Sequence, residues 1–291
     1  MINPVRKKAF NIISEAKDVK INKEKIEKLA ESLKKAIVPE WAEDFHFKSL
    51  DYFFVLDSIN FCFWPGEGKK WSIDYKGKEY DGYFALSLAL KKFFEENPEK
   101  ANLAYFSNIS QEEFSSILQG GENLQFLNKR WQIAREVSGE IINKYGSSKA
   151  LLDNKLSSLV PKIEGLPYFE DPFLKRAQIL ACDIYGAGLA KFNDLDYLTA
   201  FADYKVPQIL NYFGILEYSK SLDNKINNKI LISQDSEQEK EIRAGTISAV
   251  ELLRKELNNK FYSFEIDWIL WNQSQSIKFE KSYHLTKTIR Y

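Results

Sequence analysis

The string DLDYLTAFADYKVPQIL, Asp194–Leu210, sets a carboxylate just ahead of a predicted helix. Pro207 suits the opening turn of that helix, so Asp203, Tyr204 and Lys205 fall on the short turn before it. An aspartate there can cap the helix by accepting amide N–H groups. It can equally project into a cleft as a catalytic carboxylate, with the Phe201 ring two residues before it. Spacing leaves both roles open. A second string, Asp51–Pro65 (DYFFVLDSINFCFWP), is apolar on nearly every side, and its length predicts a buried helix. On such a helix Asp57, Asn60, Phe61 and Trp64 fall at i, i+3, i+4 and i+7 and share a face. They would either tie off backbone groups in a core or form a pocket wall.

A third string predicts another buried helix over Asp171–Ala190, with Pro172 in its first turn and Arg176, Leu180 and Asp183 near one meridian. Lys175 and Gln178 flank that line. A cation inside an apolar helix is costly unless it is paired. Arg176 therefore either reaches a carboxylate such as Asp183, or joins Lys175 in facing an anionic ligand.

Commoner chemistries find no residues here. There is no phosphate-binding glycine loop, and Gly186-Ala-Gly188 lacks the third glycine and the preceding strand of a dinucleotide fingerprint. Two histidines, His46 and His284, and no Cys-x-x-Cys or His-Glu-x-x-His spacing make a zinc site unexpected. No Gly-x-Ser-x-Gly elbow exists. Neither a metal nor an organic cofactor is expected.

The elements that would position these residues are mostly helical. Asn22–Val38 is amphipathic, with Ile26, Leu29, Ala30, Leu33 and Ile37 at helical spacing. Trp71, Ile73 and Tyr75 alternate before Lys76–Gly77, which predicts one small β-hairpin running to Tyr80. A helix over Phe84–Glu96 stops at Asn97–Pro98. Ser110 with Glu113 caps a short helix that Gly120–Gly121 ends, and a long helix stops at Gly146. Ser236 with Glu239 opens another long helix, to about Asn258, with Ile242, Thr246, Val250, Leu253 and Leu257 along one stripe. Thirteen glycines and eight prolines in 291 residues are too few for an all-β chain. One mainly helical domain over 1–291 with a small hairpin is the expected architecture.

Composition narrows the partners. Lys plus Arg (41) balances Asp plus Glu (41), and no segment carries the cationic surplus that a nucleic-acid backbone requires. Twenty-one Phe, fifteen Tyr and six Trp can line a pocket with flat, stiff surfaces. Cys62 and Cys182 sit in apolar runs and read as free buried thiols in a reducing compartment. No signal peptide or apolar span of about 20 residues is present. A cytoplasmic protein with a small-molecule substrate, no membrane and no obligate protein partner is expected.

Taken together, LDSINFCFWP (Leu56–Pro65), YKGKEYDGYFAL (Tyr75–Leu86), KRAQILACDIY (Lys175–Tyr185), LTAFADYKVPQIL (Leu198–Leu210) and EQEKEIRAGTISAVELL (Glu237–Leu253) make the chain resemble the queuosine salvage proteins. These are queuosine 5′-phosphate N-glycosylase/hydrolases, and the likeness spans nearly the whole chain. It implies a fold related to helix-hairpin-helix DNA glycosylases. It also implies hydrolysis of queuosine 5′-monophosphate to queuine and ribose 5-phosphate. By the resemblance Asp203 is the catalytic carboxylate and Phe201 contacts the base. The string FEIDWILWNQ supplies Asp267, Trp268 and Asn272 at the closing end of the pocket, where relatives often have tyrosine for Trp268 and aspartate for Asn272. His46 matches a family histidine through loose spacing. Lys175, Arg176, Lys205 and Arg243 are the cations available to a 5′-phosphate. Phe201, Trp268 and Phe61 or Trp64 could sandwich the base, and Asp267 could meet its secondary ammonium. A nucleobase glycosylase acting on nucleic acid, or a non-catalytic nucleotide-binding protein, are the rival expectations.

Overall fold

The computed structural model describes residues 3–65, 68–122 and 124–291. Among them are fourteen α-helices and two sheets, each of two antiparallel strands. The expected hairpin pairs Ser72–Tyr75 with Lys78–Asp81, and Ser72 lies opposite Asp81. Lys76 and Gly77 both turn with positive φ (54° and 79°), the twist that a two-residue hairpin link requires. The second sheet joins Val19–Ile21 to Leu216–Tyr218, nearly two hundred residues away. Strands of three residues carry too little alternation to be visible in sequence.

The helix Glu237–Glu256 forms the axis of one half. Ser236 accepts from the Glu239 amide at 3.3 Å as its N-cap. Ile242, Val250, Leu253 and Leu257 are buried as their stripe predicts. Around it pack Pro4–Ser14, Lys23–Leu33, Lys205–Tyr212 and Ser263–Ser276. The β-strands cross it at Gly245, where a Cβ would stand 3.0 Å from Val19 and 3.2 Å from Leu216. The other half centres on Leu50–Ser58, enclosed by Gly82–Glu96, Leu127–Tyr145 and Lys175–Gly186.

Three helices are shorter than periodicity predicts. The helix opened by Ser49 ends at Ser58 rather than continuing to Pro65, so Asn60, Phe61 and Trp64 do not form a helical stripe with Asp57. Its carbonyls are taken by two arginines from neighbouring helices. Arg176 donates to Ser58 O, and Arg130 donates to the carbonyls of Ile59, Phe61 and Cys62. Cys62 then turns with φ 48°. The next helix begins at Lys175, not near Pro172, because Asp171 caps it by accepting from the Lys175 amide at 2.8 Å. Arg176 therefore pairs with backbone carbonyls and not with Asp183. The amphipathic helix after Asn22 stops at Leu33. Cys62 and Cys182 are free and buried. No described helix is long and apolar enough to cross a membrane.

Candidate active site

A cleft of about 1110 Å³, counting its open mouth, lies where the two halves meet.

Asp203 reaches it from the turn before Lys205–Tyr212. Its Oδ1 accepts from the backbone amides of Lys205 (2.7 Å) and Val206 (3.1 Å), so the capping role is real. Its Oδ2 takes no hydrogen bond from any described residue and is left for the cleft. Capping and chemistry are thus served by different oxygens of one carboxylate. Burial pushes its pKa above the ordinary 3.8, opposed by the Lys175 charge and the two amides. The loop is tied from behind: Arg243 donates to Ala202 O at 3.0 Å while gripping Asp171 with both terminal nitrogens (2.8 and 2.7 Å).

Asp267, on Ser263–Ser276, is buried at 4% exposure and accepts from the Phe201 amide at 3.0 Å. Burial, and then the neighbouring charge of Asp203, push its pKa well up. The upward push is stronger on Asp267 than on Asp203, so Asp203 ionises first. On the same helix Trp268 and Trp271 stack with ring centroids 5.3 Å apart and planes 8° apart, and Trp41 lies 5.0 Å from Trp268. Lys175 is buried and lowered in pKa by that burial, opposed by Asp203 and Asp57. Its Nζ is 3.4 Å from Asn60 O. Lys205 sits nearer solvent, 5.2 Å from the Phe279 ring, and Lys70 pairs with Asp81 at 2.9 Å.

Eight of the residues singled out from sequence line this cleft: Asn60, Phe61, Lys175, Phe201, Asp203, Lys205, Asp267 and Trp268. Four others lie behind or beside it. His46 contacts the Tyr83 hydroxyl at 2.8 Å, and burial followed by Lys91 lowers its pKa to about 4. Trp64 is packed in the core. Both terminal nitrogens of Arg176 are spent on the carbonyls of Ser58 and Tyr168. Asn272 donates to Trp268 O at 2.8 Å within its own helix. Arg243, bound to Asp171, is likewise committed.

Tyr83, Asp183, Trp41, Tyr204 and Tyr283 line the cleft without having been marked as ligand contacts. Trp41 lies in an irregular stretch with no period to read. Tyr83 follows the hairpin in the string GYFAL, and its position after a turn was the one available signal. Asp183 was weighed above only as a partner for Arg176.

Stacked indoles, three lysines and four carboxyls around one cleft define a helical protein with an aromatic-walled, charged pocket. Among the described residues no cluster of His, Cys, Asp and Glu is arranged to hold a metal. The chain belongs to the queuosine salvage protein family, whose sequence model matches residues 41–291. It is 33% identical to the queuosine 5′-phosphate N-glycosylase/hydrolase of Sphaerobacter thermophilus, over 96% of this chain and 95% of that one. The proteins of the same name from Dictyostelium discoideum (33%, covering 95% of each chain) and Nematostella vectensis (31%, covering 96% of each) are comparably similar.

Proposed function

We propose that this protein hydrolyses the N-glycosidic bond of queuosine 5′-monophosphate, releasing queuine and ribose 5-phosphate so that queuine can re-enter tRNA modification. The observation that carries this is Asp203: one oxygen is locked by two amides and the other is free in an aromatic-walled cleft beside Lys175. Breaking a ribosyl C–N bond builds positive charge at the sugar carbon. A preorganised carboxylate stabilises that charge without having to reorganise. Lys175 favours the ionised form of Asp203 and so keeps it ready. Queuine is a 7-deazapurine with carbon at position 7, so a proton acceptor of ordinary purines is missing and electrostatics at the sugar must carry more of the barrier.

The remaining contacts follow from chemistry and position. Phe201 and Trp268 flank the base, with Asn60 and Phe61 facing it from the other half. Asp267 meets the secondary ammonium of queuine. Lys205, with Lys70 near it, receives the 5′-phosphate; Lys175 lies among the carboxylates and serves them instead. Residues 1–291 act as one domain, because Asn60 and Phe61 come from one half and Asp203 and Asp267 from the other. The helical body, with its catalytic aspartate at a helix N-terminus, is consistent with kinship to helix-hairpin-helix DNA glycosylases. The balanced charge favours a free nucleotide over nucleic acid, and a cytoplasmic location agrees with the free thiols.

The test is direct. Incubation with queuosine 5′-monophosphate should yield free queuine by mass spectrometry, at a rate that Asp203→Asn reduces to background. No base release by folded wild-type protein would refute the proposal.

A further inference from the structure

The scheme above leaves a set of buried acids unused. Asp183, on Lys175–Gly186, lines the cleft and accepts from the Tyr83 hydroxyl at 3.1 Å. Tyr83 in turn meets His46 Nε2 at 2.8 Å. Asp57, at the end of Leu50–Ser58, is fully buried; its Oδ1 accepts from Asn60 Nδ2 at 3.1 Å, and Asp57 and Asp183 lie near enough for each to perturb the other's ionisation. Asp57 Oδ2 is buried with no hydrogen-bond partner among the described residues.

Two neighbouring carboxyls in an interior do not both ionise readily, so the pair retains a proton. The surrounding charges reinforce this. Asp57, Asp183, Asp203 and Asp267 share the region with one buried amine, Lys175, while Arg176 is spent on carbonyls and Arg243 on Asp171. Burial holds Asp57 at about 7, and burial together with the Asp57 charge holds Asp183 well above its usual range. Behind them His46 is neutral and its Nδ1 is unpartnered. An Nε2–H then donates to the Tyr83 oxygen, and the Tyr83 hydroxyl donates to Asp183. That donor chain holds Asp183 in place and leaves the proton retained by the acid pair as the mobile one.

We propose that the Asp57–Asp183 pair is the general acid of the reaction, storing one proton and delivering it from Asp183 to the departing base. This rests on the hydrolysis reading above. As the C1′–N bond breaks, its electron pair stays with the base, and the proton from Asp183 neutralises a nitrogen on the polar edge of the base. Water bonds to C1′ and passes a proton to Asp203. Asp203 then releases that proton and the acid pair regains one from solvent, so one water is consumed. A base without nitrogen at position 7 gains most from such a donor, because it lacks the usual site for protonation.

The test separates chemistry from binding. Asp183→Asn should lower kcat on queuosine 5′-monophosphate by about a hundred- to ten-thousandfold, with the Kd for queuine changed by less than about threefold. The pH profile supplies a readout that a structural role would not move. Groups facing Asp183 are Asp57 and Tyr52 from the Leu50–Ser58 helix, Tyr83 with His46 behind it, and Lys175 on its own helix. Wild-type kcat should fall on the alkaline side as the pair loses its proton, and the residual rate of Asp183→Asn should lack that limb. A limb that persists in the variant belongs to Lys175 and overturns the inference. So does an unchanged kcat, or a loss of queuine affinity as large as the loss of rate. Should Asp183→Asn fail to fold, Tyr83→Phe keeps the ring and removes the donor. It should lower kcat roughly tenfold at constant KM, and a change in KM alone overturns the inference. Wild-type protein that releases no queuine would refute the hydrolysis reading itself, an outcome distinct from any of these.

Discussion

At Asp203 one side chain does two jobs, and substitutions can take them apart. Asp203→Asn keeps an oxygen for the Lys205 and Val206 amides, so the fold should survive with stability changed by less than about 1 kcal/mol. Turnover should drop by at least about three orders of magnitude, as when a main electrostatic group is lost. Asp203→Ala should lose turnover and also about 1 kcal/mol of stability from the missing cap, visible as a lower Tm. Near-normal turnover by either variant would remove Asp203 from the chemistry. Because its pKa is raised, the carboxylate takes up its proton at a higher pH than a free aspartate, so the acid limb of kcat should lie above 3.8. Asp267 offers a second measurement. Burial and the Asp203 charge favour its neutral form, and a bound ammonium favours its ionised form, so queuine binding should release a proton to the buffer. Calorimetry in two buffers of different ionisation enthalpy would detect this. Asp267→Asn should abolish the release and weaken queuine binding strongly, yet leave 7-deazaguanine, which lacks the amine, little affected. Equal losses for both bases would show that Asp267 holds the Phe201 amide and nothing more. The capping geometry of Asp203 was legible in the sequence because it depends on neighbours within three residues. The acid pair was not, because Asp57 and Asp183 are brought together by packing alone.

At the scale of elements, what the sequence shows well is what local chemistry decides. Ser236, Ser110 and the left-handed Gly146 end or open helices as expected, and Lys76–Gly77 makes the hairpin. What it hides is where a long apolar run stops being helical. Ile59–Pro65 leaves the helix because arginines from two other helices claim the carbonyls, and no periodicity contains that information. This departure from helix lays Asn60 and Phe61 on the cleft. Phe61 is held with its ring centroid 4.2 Å from the Arg130 guanidinium and 5.3 Å from that of Arg176. A similar hidden contact fixes Trp41. Gly186 ends its helix directly beneath that indole, and a Cβ there would stand 2.4 Å from the ring. Gly186→Ala should therefore push Trp41 off Trp268 and open the aromatic wall. The expected result is a folded protein whose KM for the nucleotide rises roughly tenfold, equivalent to about 1.4 kcal/mol of lost binding, with kcat much less affected. An unchanged KM would show that the Trp41 wall does not touch the ligand.

Across the whole molecule the charge sums to zero, but the cations are sorted by depth, and that sorting could not be read from the chain. Four cations stood close to the motifs in sequence: Lys175, Arg176, Lys205 and Arg243. Folding commits Arg176 to carbonyls, Arg243 to Asp171, and Lys175 to the carboxylates around it. Lys205 is left with a 3.4 Å contact to Gln208 and no acid partner among the described residues, at the edge of the cleft where Lys70 also lies. Burial lowers its pKa, opposed by the Asp203 charge, and an incoming phosphate would reverse that shift. A phosphate group should therefore be read here, by one charge-assisted contact worth about 1.5–3 kcal/mol. The 5′-monophosphate should then exceed the nucleoside in kcat/KM by roughly ten- to a hundredfold. Lys205→Ala should close most of that gap by lowering kcat/KM for the nucleotide while leaving the nucleoside near its wild-type value. Raised ionic strength should narrow the gap in the wild type and hardly alter the variant, since a half-exposed contact is screened by salt. If wild type and Lys205→Ala discriminate equally, the phosphate is held elsewhere and Lys205 serves its own helix.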